Sequence, residues 1–169
     1  SNEVKIVINC GGFTRNSFLT SLEVKERELI LMENLLLTKQ LLPDFVLLPQ
    51  SMPPFPWHQG GRSHHNLLRS EYSLIQMNKF TGLDICLDFS HTYMDCLYTQ
   101  QDFYKVLVNL MPITSHVHIS DSNSSSNEGL NIDEGSLDFS NIFNILLNSS
   151  KVHNKLSLIP EVWQGHHNS

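Results

Sequence analysis

Five short apolar runs, separated by four longer stretches with helical spacing, constrain this chain more than any other feature. Val4–Asn9, Phe45–Leu48, Asp84–Asp88, His116–Ile119 and Leu156–Ile159 are of strand length. Between them lie Glu23–Leu42, Glu71–Phe80, Gln101–Met111 and Phe139–Leu147, where apolar residues recur at helical intervals. Pro43, Gly82 and Pro112 mark helix ends, and Asp138 is placed to cap the last helix. A βαβαβαβαβ order predicts an α/β fold with a parallel sheet and right-handed crossovers. No composition break divides residues 1–169, so one domain is expected, and the Ser/Asn-rich stretch Ser122–Asn127 reads as a loop excursion.

The composition permits a packed core. Of 169 residues, 40% are hydrophobic and 17% charged, which excludes a disordered chain. The formal charge of −6 argues against nucleic-acid or anionic-membrane partners, since nothing supplies a net attraction to phosphate. No apolar run approaches the ~20 residues of a bilayer span. The start SNEVKIVINC lacks the basic and apolar regions of a signal peptide. Cys10, Cys86 and Cys96 form no CxxC and cannot all pair, as expected of reduced thiols in the cytoplasm.

Ligands of parallel α/β folds bind beyond the carboxyl ends of the strands. The histidines follow that rule. His58, His64 and His65 come after the second strand and His91 after the third. His116 and His118 are on the fourth, and His166 and His167 follow the fifth. Only His153 precedes a strand. Side-chain alternation further places Asn9, Gln50, Asp88, His118 and Glu161 near the strand ends on a possible common inward face. Two carboxylates, an imidazole and an amide oxygen suit a divalent cation such as Mn²⁺, Mg²⁺, Co²⁺ or Zn²⁺.

Four motifs carry a family resemblance. Leu87-Asp88-Phe89-Ser90-His91 resembles the LDxxH of the xylose-isomerase-like TIM-barrel superfamily, which includes sugar isomerases, epimerases and endonuclease IV. His118-Ile119-Ser120-Asp121 resembles its HxxD strand end, Ile132 to Phe139 its G-E-G-x-I-D-F turn, and Ile159-Pro160-Glu161 the strand with its last metal-binding Glu. The resemblance implies that the five strands are the third to seventh of eight. It also implies a metal held by Asp88, His118, Glu161 and the residue at position 50. Glu161 would act as base, and His91 as acid/base or additional ligand.

The sequence departs from that pattern at Gln50, where the family has Glu, so a two-glutamate proton transfer is not available. Asn9 stands where endonuclease IV has a metal-binding His, and Gly129 or a neighbour replaces another, which disfavours a three-metal phosphodiesterase. Pro53 to Gly61 and Glu161 to His166 resemble a bacterial subgroup tied to sialic-acid-synthase-type proteins and surface-sugar pathways. Trp57 and Trp163 would stack on a sugar and Arg62 would hold an anion, with Asn9, His58, Asp121 and His166 completing the substrate contacts.

The function implied is a metal-dependent sugar or sugar-phosphate isomerase or epimerase. Its rivals are a non-catalytic sugar-binding or supporting domain, and a metal-dependent hydrolase of a sugar ester or phosphate. A complete (β/α)₈ barrel takes about 250 residues. Five βα units therefore imply a partial barrel, completed by a larger polypeptide or by self-association.

Overall fold

The computed structural model describes residues 4–56, 63–149 and 156–162. Strand β1 (Val4–Ile8) pairs in parallel with β3 (Phe45–Pro49), Val4 opposite Phe45 and Ile8 opposite Pro49. A second parallel ladder joins β5 (Ile85–Asp88), β6 (Thr114–Ile119) and β7 (Ser157–Pro160). The bridge between Gln50 and Cys86 links the two ladders, giving the order β1-β3-β5-β6-β7. All five expected strands are present. Among the described residues none pairs β7 back to β1, so the barrel is open. Its curvature is nevertheless set: Lys5 Nζ on β1 donates across the interior to Ser115 O and Ser157 Oγ, both at 2.8 Å.

Strand alternation sorts the two faces of this sheet. Leu47, Ile85, Leu87, Val117 and Ile119 pack outward with Phe89, Leu107, Leu110 and Ile142 in the hydrophobic core beneath the helices. Cys86, Asp88, His116 and His118 occupy the alternate positions, on the inner face. The helices follow their caps. In α1 (Ser21–Leu41), Thr20 and Glu23 form a reciprocal capping box. Ser70 caps α2 (Glu71–Thr81), which ends on Gly82 at φ 64°. Asp102 caps α4 (Phe103–Leu110) and Asp138 caps α5 (Phe139–Asn148).

One expectation is corrected. Between β5 and β6 the sequence predicts one helix, Gln101–Met111, and assigns nothing to residues 89–100. Residues 89–99 form a helix of their own, α3 (Phe89–Thr99), and α4 restarts after Gln100 turns left-handed at φ 59°. Asp88 hides the start, because one residue ends the strand and caps the helix, accepting from the His91 main-chain N–H at 2.9 Å. Arg69 then holds α3 from the loop before α2, with Nε 2.6 Å from Asp95 Oδ1.

Beyond the second strand end, His64 and His65 are engaged in packing. They form β4 (His64–His65), antiparallel to β2 (Phe13–Thr14). His65 Nε2 meets Cys10 O at 2.8 Å, and its ring packs edge-on to Phe13. His64 packs against Phe18 and Phe55. The Asn66 side chain ties this pair down, donating to Gly12 O and accepting from Leu19 N–H. Among the described residues no helix is long and apolar enough to cross a membrane.

Candidate metal centre

The carboxyl ends of β3, β5, β6 and β7 converge on a cavity of about 420 Å³, within the usual range of small-molecule sites, roughly 300–1,000 Å³. Asp88 is 1% exposed at its base. Its Oδ1 accepts from His91 N–H and Ser90 Oγ, and Oδ2 accepts from Gln50 Nε2 at 3.1 Å. His118 Nδ1 contacts the Glu161 carboxylate and lies 3.9 Å from Asp88 Oδ2. One ligating atom each from Asp88, His118 and Glu161 lies within 4.8 Å of the others. This is a mixed oxygen–nitrogen donor set fit for one divalent cation.

Electrostatics separate the two acids. Burial raises the Asp88 carboxyl above its ordinary range, with Glu161 adding to the shift and His91 and His118 opposing it. The exposed Glu161 carboxyl is lowered, chiefly by its hydrogen bond from His118. A cation between them would relieve the charge crowding that burial penalises at Asp88.

Gln50 is 2% exposed and reaches the same point, 3.2 Å from His118 Nδ1. However, it presents its NH₂ to Asp88. Metal ligation through Oε1, as the resemblance implies, requires the amide to turn over.

His91 stands beside the triad. Its Nδ1 faces Ser51 O at 3.0 Å and its Nε2 faces Glu128 Oε2 at 3.2 Å. Both partners are acceptors, so only the doubly protonated ring satisfies both. Burial works against that charge, but Asp88 and Glu128 outweigh it and hold the imidazole at about 9. Both ring nitrogens are thus engaged by acceptors, an arrangement that favours the protonated imidazole.

Glu128 was not anticipated. It is 8% exposed and lines the cavity. The available signal was that it is the sole acid between Ser122 and Ile132.

The other expected residues divide. Asn9 lines the cavity. Asp121 is fully buried, and its carboxylate accepts from the main-chain N–H groups of Ser122, Gly135, Ser136 and Leu137. Trp57, His58, Arg62, Trp163 and His166 lie outside the described residues.

No family model and no curated protein matches the sequence. Solved structures do. An L-ribulose 3-epimerase structure aligns over 96% of this chain and 49% of its own, at a TM-score of 0.64 and 16% identity. The probable 3-DHS dehydratase AsbF of petrobactin synthesis from Bacillus anthracis aligns over 97% and 58%, at 0.61 and 16%. A xylose isomerase domain protein from Alicyclobacillus acidocaldarius subsp. acidocaldarius aligns over 92% and 53%, at 0.59 and 13%. The chain thus spans about half the length of the structures it resembles. At these identities the likeness establishes the fold alone, a parallel α/β fold that matches about half of a TIM barrel.

Proposed function

We propose that this chain supplies the metal-binding half of a divalent-cation-dependent isomerase or epimerase acting on a small sugar or sugar phosphate. The observation that carries the reading is the convergence of Asp88, His118 and Glu161 from three adjacent strand ends. The bound cation would polarise a substrate carbonyl or hydroxyl and offset developing enediolate charge. Glu161, kept ionised by His118 and open to the cavity, takes the proton from substrate carbon. His91, held as a cation by Ser51 O and Glu128, donates toward the developing negative oxygen. The likeness to an epimerase and a probable dehydratase supports this class. Activity is assigned to the completed barrel, in a longer polypeptide or with a second copy.

The orientation of Gln50 favours a second reading, in which the domain binds sugar without turning it over. Incubation with Mn²⁺ and a panel of pentoses, hexoses and their phosphates in D₂O, followed by NMR, separates the two. Deuterium entering a carbon beside the carbonyl is expected. Tight Mn²⁺ binding without exchange on any sugar tested would leave only the binding role.

Position 50 yields a further prediction. Gln50→Glu raises the protein-derived ligand charge from −2 to −3. It should tighten Mn²⁺ about tenfold or more by calorimetry, and should destabilise the metal-free protein by about 1–3 kcal/mol through a second buried carboxylate beside Asp88. Unchanged affinity would place residue 50 outside the coordination sphere.

A further inference from the structure

One layer below the carboxyl-end triad, the inner face carries a second donor cluster that the proposed function does not use. Cys86 and His116 precede Asp88 and His118 by two residues and are register partners on neighbouring strands. Cys86 is fully buried and His116 is 5% exposed. Ligating atoms of Cys86, His116 and His118 lie within 4.8 Å of one another.

Donor chemistry sets this cluster apart. The upper triad has two hard carboxylates, whereas the lower one has a thiol and two imidazoles. We infer that Cys86, His116 and His118 form a second, thiolate-containing metal site, selective for a borderline-soft divalent ion such as Zn²⁺ or Co²⁺ over Mg²⁺ or Mn²⁺.

His116 is already held as metal-binding histidines are, by a hydrogen bond through its other ring nitrogen. Its Nδ1 lies 2.7 Å from Ser157 Oγ, which also accepts from Lys5 Nζ at 2.8 Å. That leaves Nε2 of His116 as the ligating atom. Binding releases the Cys86 thiol proton to solvent as the sulfur–metal bond forms, with no change in oxidation state. His118 belongs to both triads, so occupancy of one site alters the other.

Cobalt substitution tests the assignment independently of the proposed activity. Reduced protein titrated with Co²⁺ should develop a near-ultraviolet thiolate-to-cobalt charge-transfer band at one equivalent. The band should persist in the Asp88→Asn/Glu161→Gln double variant, which disables the upper triad, and in Cys10→Ser/Cys96→Ser. It should vanish in Cys86→Ser while Mn²⁺ binding at the upper triad survives. No band in the wild type, or a band that survives Cys86→Ser, overturns the inference. If Cys86→Ser fails to fold by circular dichroism, X-ray absorption of zinc-loaded Cys10→Ser/Cys96→Ser protein decides. A sulfur neighbour at about 2.3 Å supports the site, and a shell of nitrogen and oxygen alone refutes it.

Discussion

Asp88→Asn should weaken divalent-cation binding by about 100-fold or more while leaving the metal-free fold nearly as stable. Loss of a residue that merely orients a ligand costs roughly 10–100-fold in affinity, so loss of a ligand carboxylate should reach at least the upper end. The Asn oxygen can still accept from His91 N–H and Ser90 Oγ, which preserves the cap on α3. The new NH₂ meets the Gln50 NH₂ donor, a mismatch cured if the Gln50 amide turns over. Burial already disfavours the Asp88 charge, so a neutral isostere relieves one cost as it introduces another.

Thermal melts read the outcome. Saturation at 100 times Kd stabilises a protein by about 2.7 kcal/mol. For a domain of this size that is a rise in Tm of about 5–10 °C. Wild-type protein should show it with Mn²⁺, and Asp88→Asn should not. A wild type indifferent to Mn²⁺, or a variant that keeps the full shift, removes the basis for the metal centre.

The second large effect falls on Asp121. Four main-chain N–H groups converge on its buried carboxylate: those of Ser122, Ser136 and Leu137 at 2.8–3.1 Å on Oδ1, and that of Gly135 at 2.9 Å on Oδ2. Asp121 also pairs through its backbone with Leu130. Together these contacts fold the whole 122–137 excursion against the strand end, and so place Glu128 beside His91. Asp121→Ala strands several buried donors at once. A loss of about 3–5 kcal/mol is expected by urea denaturation, because the gap cannot admit enough water to serve all four. Asp121→Asn keeps one acceptor oxygen and should lose less. Gly135→Ala should destabilise similarly from the opposite side, since a Cβ there overlaps the Asp121 carboxylate and comes within 2.6 Å of Ser122 O. Stability unchanged in both Asp121→Ala and Gly135→Ala would show that the loop is held by other contacts.

The parallel architecture was readable because three of the five strands follow residues whose backbone preferences leave little choice, Pro43, Gly82 and Pro112. The strand-end polar residues were readable because alternation has a fixed period. What escaped was information carried by one residue in two roles, or by none in particular. Asp88 closes β5 and opens α3, so the helix start vanished into the strand. The two-residue strands β2 and β4 have no periodicity to detect; contacts from Asn66, Phe13 and Phe18 make them. Histidine position was a coarser guide than it seemed, since His64 and His65 pack against aromatic rings and His116 sits beneath the strand ends. Glu128 was hidden in a stretch of Ser and Asn. Cys86 and His116 lie one inward position before the strand ends, where alternation marks a residue as interior and says nothing of its neighbours on the next strand.

The Lys5 contacts have a kinetic consequence. Every ladder in the sheet joins strands adjacent in the strand order, so each can zip soon after its second strand forms. Lys5, by contrast, bonds residues 110 and 152 positions away. Contacts spanning so much chain carry a large loop-closure entropy and form after the local pairings. Interactions absent from the folding transition state act on the rate of opening. Lys5 is accordingly a latch on the curved sheet, governing how long the inner face stays gathered rather than how fast it assembles.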